Sequence, residues 1–584
     1  MKLIFRSLAR YRWPVALAIF IKLTATMFEL LLPYILEHMI DDVVPTKRLG
    51  LVIFWGCTMF VAALFCRQAN VAANRRAIFN AHRISYDTRQ ALFEKTANLS
   101  GSQFDAFGLP SLISRMTSDS YNVQSAVQQL QSLCVRAPIM LVGGLVMTLS
   151  MDAQLALILV VMLPFLLAVV LFVSSRGIPL YSGVQQRLDT VVRIMRESIT
   201  GIRVVKALSK TDYEKRRFAE ANKEMTDGDV RASTVMAIPG PLMGLSLNVG
   251  LVLVIILGAR RVNAGLMQPG VILAFLTYFN MITMGVMGIN RIFITMSRAS
   301  ASANRIDAVL QTPTEQLVLD EAEARRPQGE GFIRFEHVNF SYERALDDAD
   351  GFAGGSQEQA LTDISFTLRR GESLGIIGPT GCGKTTIVNL LMRFYDVEDG
   401  GVFVDGRDVR CYDRDELRRK FGVVFQNDVI FQDTLRENVD FGRALGEEAL
   451  LGAVEDAMAA DYVASLDEGL DYEASIKGAN LSGGQKQRLL VARALAGKPE
   501  ILILDDASSA LDYKTDAAMR RAIESHHASS TLVMIAQRVS SVMGMTHIMV
   551  MDNGHCIGYG SHEQLLESCP AYREIYDVQM GAIG

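Results

Sequence analysis

The sequence predicts a multi-domain chain: an all-α transmembrane domain of six helices, then an α/β domain built around a phosphate-binding loop. Three observations carry this. Apolar segments recur from Val15 to about Leu257, while charged residues concentrate after about Glu315. From about residue 330, strand-like runs alternate with turns. Within that second region, Gly378-Pro379-Thr380-Gly381-Cys382-Gly383-Lys384-Thr385 fits the pattern G-x-x-x-x-G-K-[ST] at every fixed position. A length of 584 residues exceeds one ordinary domain. The expected division is 1–310 for the membrane domain, 311–330 for a linker and 331–584 for the nucleotide-binding domain. A net charge of only -5 points to no nucleic-acid partner. The seven cysteines show no paired spacing and read as reduced core residues.

Six spans fall near 14–36, 50–72, 130–151, 153–175, 234–258 and 270–292, each close to the length that crosses a hydrocarbon core of about 30 Å. Short links join them in pairs. Two long charged stretches, 73–129 and 176–233, join the second span to the third and the fourth to the fifth. Their many Lys and Arg residues, with Lys2, Arg6, Arg10 and Arg12, place these stretches and the N-terminus in the cytoplasm. Arg260 and Arg261, on an outside link, count against this orientation. With few breakers, both stretches read as helical rods, turning near Phe104–Gly108 and Ser209–Tyr213. Ionisable residues within spans are functional candidates, so Lys22, Glu29, Arg67 and Arg136 are the candidate cavity residues. Lys22 and Glu29, seven apart, share a helix face. The alternative is structural: Lys22 pairs with Glu29 or snorkels, and the arginines reach headgroups. Met281, Met284 and Met287 form either an adaptable apolar wall or ordinary packing.

In the second domain a buried strand, Ser373–Ile377, leads into the glycine loop, and a helix follows from Thr385. Glycines let backbone N–H groups approach phosphates at a helix start. In this frame Gly378–Thr386 cradle ATP, Lys384 reaches the β- and γ-phosphates, and Thr385 holds Mg²⁺. The apolar run Ile501–Leu504 is a second buried strand that puts Asp505 at its C-terminal end, beside the metal. Leu481-Ser482-Gly483-Gly484-Gln485 opens a helical run and forms a second anion site. One domain does not need two such sites, so the second is expected to serve a neighbouring chain.

On these residues the chain resembles a half-size ATP-binding cassette (ABC) exporter over almost its whole length. Leu481–Gln485 matches the family signature, which acts on the partner chain's ATP. The resemblance also implies that Tyr342 stacks on adenine, that Gln426 touches Mg²⁺, and that Ser509–Asp512 form the D-loop. Phe104–Asp119 and Gly201–Lys206 resemble the two intracellular coupling regions. By analogy, two nucleotide-binding domains close head-to-tail around two ATP molecules, and closure turns the cavity outward.

Two residues depart from the family pattern. Where a glutamate polarises the attacking water, this chain has Asp506; where a switch histidine stands, it has Gln537. The carboxylate arm is one methylene shorter, and a glutamine amide cannot take up a proton as imidazole does. Ile476 also replaces a glutamate before the signature. Asp506 and Gln537 act on this chain's own ATP, whereas the signature acts on the partner's. The resemblance therefore implies the weak-site subunit of a heterodimer with a second ABC half-transporter; the alternative is a homodimer that tolerates both changes. The expected activity is ATP-driven export of small amphipathic molecules through a multi-pass protein of the bacterial inner membrane, in contact with membrane lipid. The alternatives are transport of lipid, peptide, thiol or siderophore, and an ATP-gated channel. The acidic, glycine-rich insertion Asp347–Ser356 reads as a surface loop.

Overall fold

The computed structural model describes residues 2–313, 316, 318–321, 325, 327, 329–342 and 359–581. The chain divides into two compact units. One comprises Met1–Ala97 and Pro110–Thr312; the other comprises Asn98–Leu109 and Pro313–Gly584. The insertion at 347–356 lies outside the described residues.

Among the described residues, the first unit holds six helices long and apolar enough to cross a membrane. Their apolar portions lie in Arg12–His38, Leu49–Ala97, Leu133–Met151, Ala153–Thr200, Pro239–Asn263 and Pro269–Leu310. The change from apolar to charged sequence does not end a helix. Leu49–Ala97 runs unbroken for 49 residues and Ala153–Thr200 for 48, each about 70 Å at 1.5 Å per residue. Thr211–Ala237 leads into the fifth span with only Ile238 between them, still in helical conformation. The rod before the third span is less regular: it passes through a widened turn at Arg115–Asp119 and a break at Ser132.

Packing within this unit combines apolar clusters and a few buried polar ties. Leu155, Leu159, Val254, Phe275 and Phe279 form one cluster. Tyr278 donates to the Leu30 carbonyl at 2.7 Å, and Asn80 Nδ2 to Gln131 Oε1 at 2.8 Å. The buried Asp119 carboxylate accepts from Ser302 Oγ at 2.8 Å and Arg305 Nε at 2.8 Å. Left unmade in an apolar interior, such bonds are expensive, so they pin helices distant in sequence. Arg261 lies 2.9 Å from Asp152, whose other oxygen caps the Leu155 N–H. Asp152 thus neutralises Arg261, one of the two charges that counted against the predicted orientation.

Among the described residues, the second unit carries two sheets. A four-stranded antiparallel sheet has the order β2-β1-β4-β5, with β1 Ile333–Ser341, β2 Gln359–Leu368, β4 Asp399–Val404 and β5 Arg407–Asp408. The other sheet has six strands in the order β10-β9-β3-β8-β7-β6. Here β3 is Ser373–Ile377, β6 Phe421–Val424, β7 Ile501–Asp505, β8 Thr531–Ile535, β9 His547–Asp552 and β10 His555–Gly560. All its pairings are parallel except the edge pair of β10 with β9. Strands β7 and β8 are buried at every residue, which explains their apolar runs Ile501–Leu504 and Leu532–Ile535.

Residues 98–109 belong to this second unit. The turn expected at Phe104–Gly108 is instead mostly a short helix, Gly101–Phe107, closed by Gly108 at φ 70°. A capping box between Ser100 and Gln103 starts that helix, a local signal the sequence reading passed over. Gly101 N–H donates to the Phe394 carbonyl at 2.9 Å. A Cβ at Gly101 would lie 2.7 Å from both that oxygen and Tyr395 Cζ, so only glycine permits this approach. Tyr395 then donates its hydroxyl to Asp105 Oδ2 at 2.5 Å. The second expected turn centres on Ser209 (φ 52°), and the helix resumes at Thr211.

Candidate active site

The order of the parallel sheet builds the site. Strands β3, β8 and β7 are neighbours, so the segments leaving their C-terminal ends converge, the usual ligand position in an open α/β sheet. The glycine loop leaves β3, Gln537 follows β8, and Asp505 closes β7. Gly381 and Gly383 sit at φ 87° and 96°, a region open to glycine. Gly383 also leaves no room: a Cβ there would lie 2.6 Å from the Ala360 carbonyl. Between them, Cys382 is buried under the loop. The helix Lys384–Leu391 starts directly after Gly383, so its first N–H groups face the loop's concavity. Lys384 Nζ donates to the Gly378 and Pro379 carbonyls at 2.9 and 2.7 Å.

Thr385 Oγ1 donates to Asp505 Oδ2 at 2.8 Å, and Asp505 is 2% exposed. Burial pushes the Asp505 carboxyl above its usual range; the Thr385 bond works against this, and the neighbouring Asp506 charge adds to it. A hydroxyl and a buried carboxylate with raised proton affinity form a hard-oxygen donor set that fits Mg²⁺. Asp506 stands at φ 53°, a left-handed conformation that Asp tolerates, and its N–H bonds to the Ile535 carbonyl at 3.0 Å. Burial raises its carboxyl too, opposed by Lys384 and Arg538. Gln537 Nε2 donates to Asp506 Oδ2 at 3.1 Å. The two departures from the family pattern therefore meet in one hydrogen bond.

Tyr342 is half-exposed, its hydroxyl 3.2 Å from Thr386 Oγ1 and from Asn389 Nδ2. Its ring meets those of Phe340 and Tyr395 edge-on at 4.9 and 5.1 Å. Gln426 is exposed in the turn after β6. The signature segment forms the start of the helix Gly483–Leu495. Ser482 and Gln485 make a reciprocal capping box there, and Leu481 is buried behind it. A residue the sequence reading missed is Gln487, on the same helix. Its Nε2 donates to Ser509 Oγ at 2.9 Å and the Asp506 carbonyl at 3.3 Å, and its Oε1 accepts from Ala510 N–H at 2.7 Å. The signature helix thus holds the D-loop and the Asp506 backbone. The only advance signal was a polar residue two places after the motif.

Lys22, Glu29 and Arg136 lie within electrostatic reach of one another, but Lys22 and Glu29 do not pair. Lys22 is buried and donates to Asn70 Oδ1 at 2.8 Å and Asn74 Oδ1 at 3.2 Å. Glu29 instead takes Arg136 bidentately, at 2.7 and 3.3 Å. Arg67 points outward from the second span. Met284 and Met287 are exposed on the sixth span, and Met281 is half-buried.

Residues 15–286 match the family described as the ABC transporter transmembrane region, and 361–509 match the ABC transporter family. A Bacillus subtilis (strain 168) protein named an uncharacterized ABC transporter ATP-binding protein, YfiB, is 32% identical over 97% of this chain and 96% of its own length. The chain belongs to the ABC transporter family. The Mycobacterium tuberculosis (strain H37Rv) ABC transporter ATP-binding protein Rv1273c, also named uncharacterized, is 33% identical over 97% of this chain and 95% of its own. An ATP-dependent lipid A-core flippase of Vibrio vulnificus (strain CMCP6) is 29% identical over 92% of this chain and 88% of its own. The solved structure of a bacterial Atm1-family ABC exporter with ATP bound shares the fold, with a TM-score of 0.77 at 22% identity and 98% coverage of both chains. This ABC protein is therefore a multi-pass transporter of exporter architecture with an ATP-binding domain, and ATP hydrolysis drives its transport.

Proposed function

We propose that this chain is the weak-site subunit of a heterodimeric ABC exporter that moves small amphipathic molecules out across the bacterial inner membrane, with its N-terminus and nucleotide-binding domain cytoplasmic. The observation that carries the reading is the hydrogen bond between Gln537 and Asp506. A glutamine amide occupies one oxygen of a carboxylate already too short to replace glutamate. Gln537 cannot accept a proton as a switch histidine does. The signature Leu481–Gln485 keeps every family residue and a well-capped helix start, so the site it completes on the partner is unimpaired. Thr385, Asp505 and Gln426 would hold Mg²⁺, Gly378–Thr386 the phosphates, and Tyr342 the adenine. Mg²⁺-ATP supplies the transferable phosphoryl group and binding energy for domain closure. Asp506 would orient water slowly.

The relative named a lipid A-core flippase favours a second reading, in which the substrate is a lipid. The test of assembly is a mild-detergent pull-down of the tagged chain from its native membrane, with mass identification of what binds. A stoichiometric second half-transporter carrying Glu and His at the two positions supports the proposal. Recovery of this chain alone, as a dimer, overturns it.

A further inference from the structure

We infer that Gln579, near the end of the chain, is a positioning residue for the nucleotide site and acts through the backbone of Gln537. Gln579 Nε2 donates to the Gln537 carbonyl at 2.9 Å, and its Oε1 accepts from Val539 N–H at 2.7 Å. One side-chain amide thus grips the main chain on both sides of Arg538, in the turn between β8 and the short helix Val539–Val542. A primary amide presents its donor and acceptor in fixed opposition, so it accepts this turn in one register.

The grip is firm because the helix that carries it, Pro570–Met580, is itself anchored. Tyr572 is fully buried and its hydroxyl lies 2.8 Å from His562 Nδ1. Ile575 and Tyr576 pack against the core cluster that contains Val539 and Val542. Gln579 is therefore a fixed post. From the backbone position it sets, the Gln537 side chain reaches Asp506 Oδ2 at 3.1 Å. A shift of about 0.5 Å would take that contact beyond good hydrogen-bond range.

A purely structural role would be to satisfy the Val539 N–H, an orphan donor at a helix start. Gln579→Glu separates the two roles. Its carboxylate still accepts from Val539 N–H, but it sets an anionic oxygen against the Gln537 carbonyl. The inference rests on reading Asp506 and Gln537 as the hydrolytic pair. The experiment therefore adds Gln579→Glu both to the wild-type chain and to an Asp506→Glu/Gln537→His chain, each full-length in lipid nanodiscs with whatever partner co-purifies. In the doubly substituted chain, Gln579→Glu should slow turnover at this chain's own site about fivefold to tenfold, the worth of one hydrogen bond, which lowers the total kcat to about half where a partner's site also turns over. KM for ATP should stay within about twofold, and the thermal midpoint should not move. In wild type, hydrogen exchange of the peptide spanning 536–540 should rise with Gln579→Ala, while Gln579→Glu keeps the Val539 amide protected. An unchanged kcat in the doubly substituted chain overturns the inference, as does a loss of kcat matched by a fall in the thermal midpoint. If the double substitution itself gains no activity, the weak-site reading fails instead. The Gln579→Glu comparison in wild type then decides the inference by the same kcat criterion.

Discussion

Replacing Asp506 by glutamate tests whether the shorter carboxylate limits this site. The missing methylene is about 1.5 Å of reach. The backbone cannot advance to make it up. Asp506 N–H is bound to the Ile535 carbonyl at 3.0 Å, and Gln487 holds the Asp506 carbonyl at 3.3 Å. Its φ is fixed at 53° by the turn leaving β7. A misplacement of about 1 Å costs on the order of 10²-fold in rate, equivalent to about 2.7 kcal/mol of barrier. Two copies of this chain alone should therefore hydrolyse ATP up to about 10²-fold faster with Asp506→Glu. In a heterodimer the competent site already turns over, so bringing this site level with it raises the total only about twofold. The assay is phosphate release in nanodiscs, on the assembly that purifies from the membrane. A rate for Asp506→Glu no higher than wild type in that assembly would refute the reasoning, because reach would then not be the limit.

Three further outcomes follow from the structure. Asp506 must be charged to orient water, and burial raises its proton affinity. In two copies of this chain alone, turnover should accordingly fail on acidification at a higher pH than an ordinary aspartate would set, and Asp506→Asn should abolish that acid limb in a pH–rate profile. For stability the sign is opposite: Asp505 and Asp506 bind protons more tightly folded than unfolded. The ATP-free protein should lose stability as pH rises from the unfolded carboxylate range through their raised folded values, as thermal melts across that window would record. Gly101→Ala places a methyl 2.7 Å from the Phe394 carbonyl and Tyr395 Cζ. Overpacking of this kind costs about 1–3 kcal/mol. It should break the Tyr395–Asp105 bond and abolish stimulation of ATPase by transported compounds while basal ATPase stays within about twofold; equal loss of both would argue against a coupling role.

Much of the site was legible in the chain itself because its chemistry is local. The glycine loop needs its residues in one short run, and Leu374–Ile377 and Ile501–Leu504 announce buried parallel strands by lacking polar side chains. The two departures at Asp506 and Gln537 could be read one at a time. Other features escaped. The short helix Gly101–Phe107 is hard to read from sequence because its capping box lies just before the expected bend. Lys22 and Glu29 share a helix face yet part company: Lys22 goes to asparagines of the second span and Glu29 to Arg136 of the third. Facing residues on one helix says nothing about which neighbour supplies the partner.

By itself, the sequence determined the class of each domain, the six apolar spans, the phosphate loop, the signature and the identity of the two altered residues. Each of these depends on composition or spacing within a few turns of chain. Tertiary structure alone decided that Gln537 rests on Asp506, that Gln487 holds the D-loop, that Gln579 grips the switch backbone and that Gly101 makes way for Tyr395. These contacts join residues brought together by strand order and by helices folded back over long connections. Hydrogen-bond capacity can be read from a residue type, but its partner is set by which chain segments the packed core brings within about 3 Å.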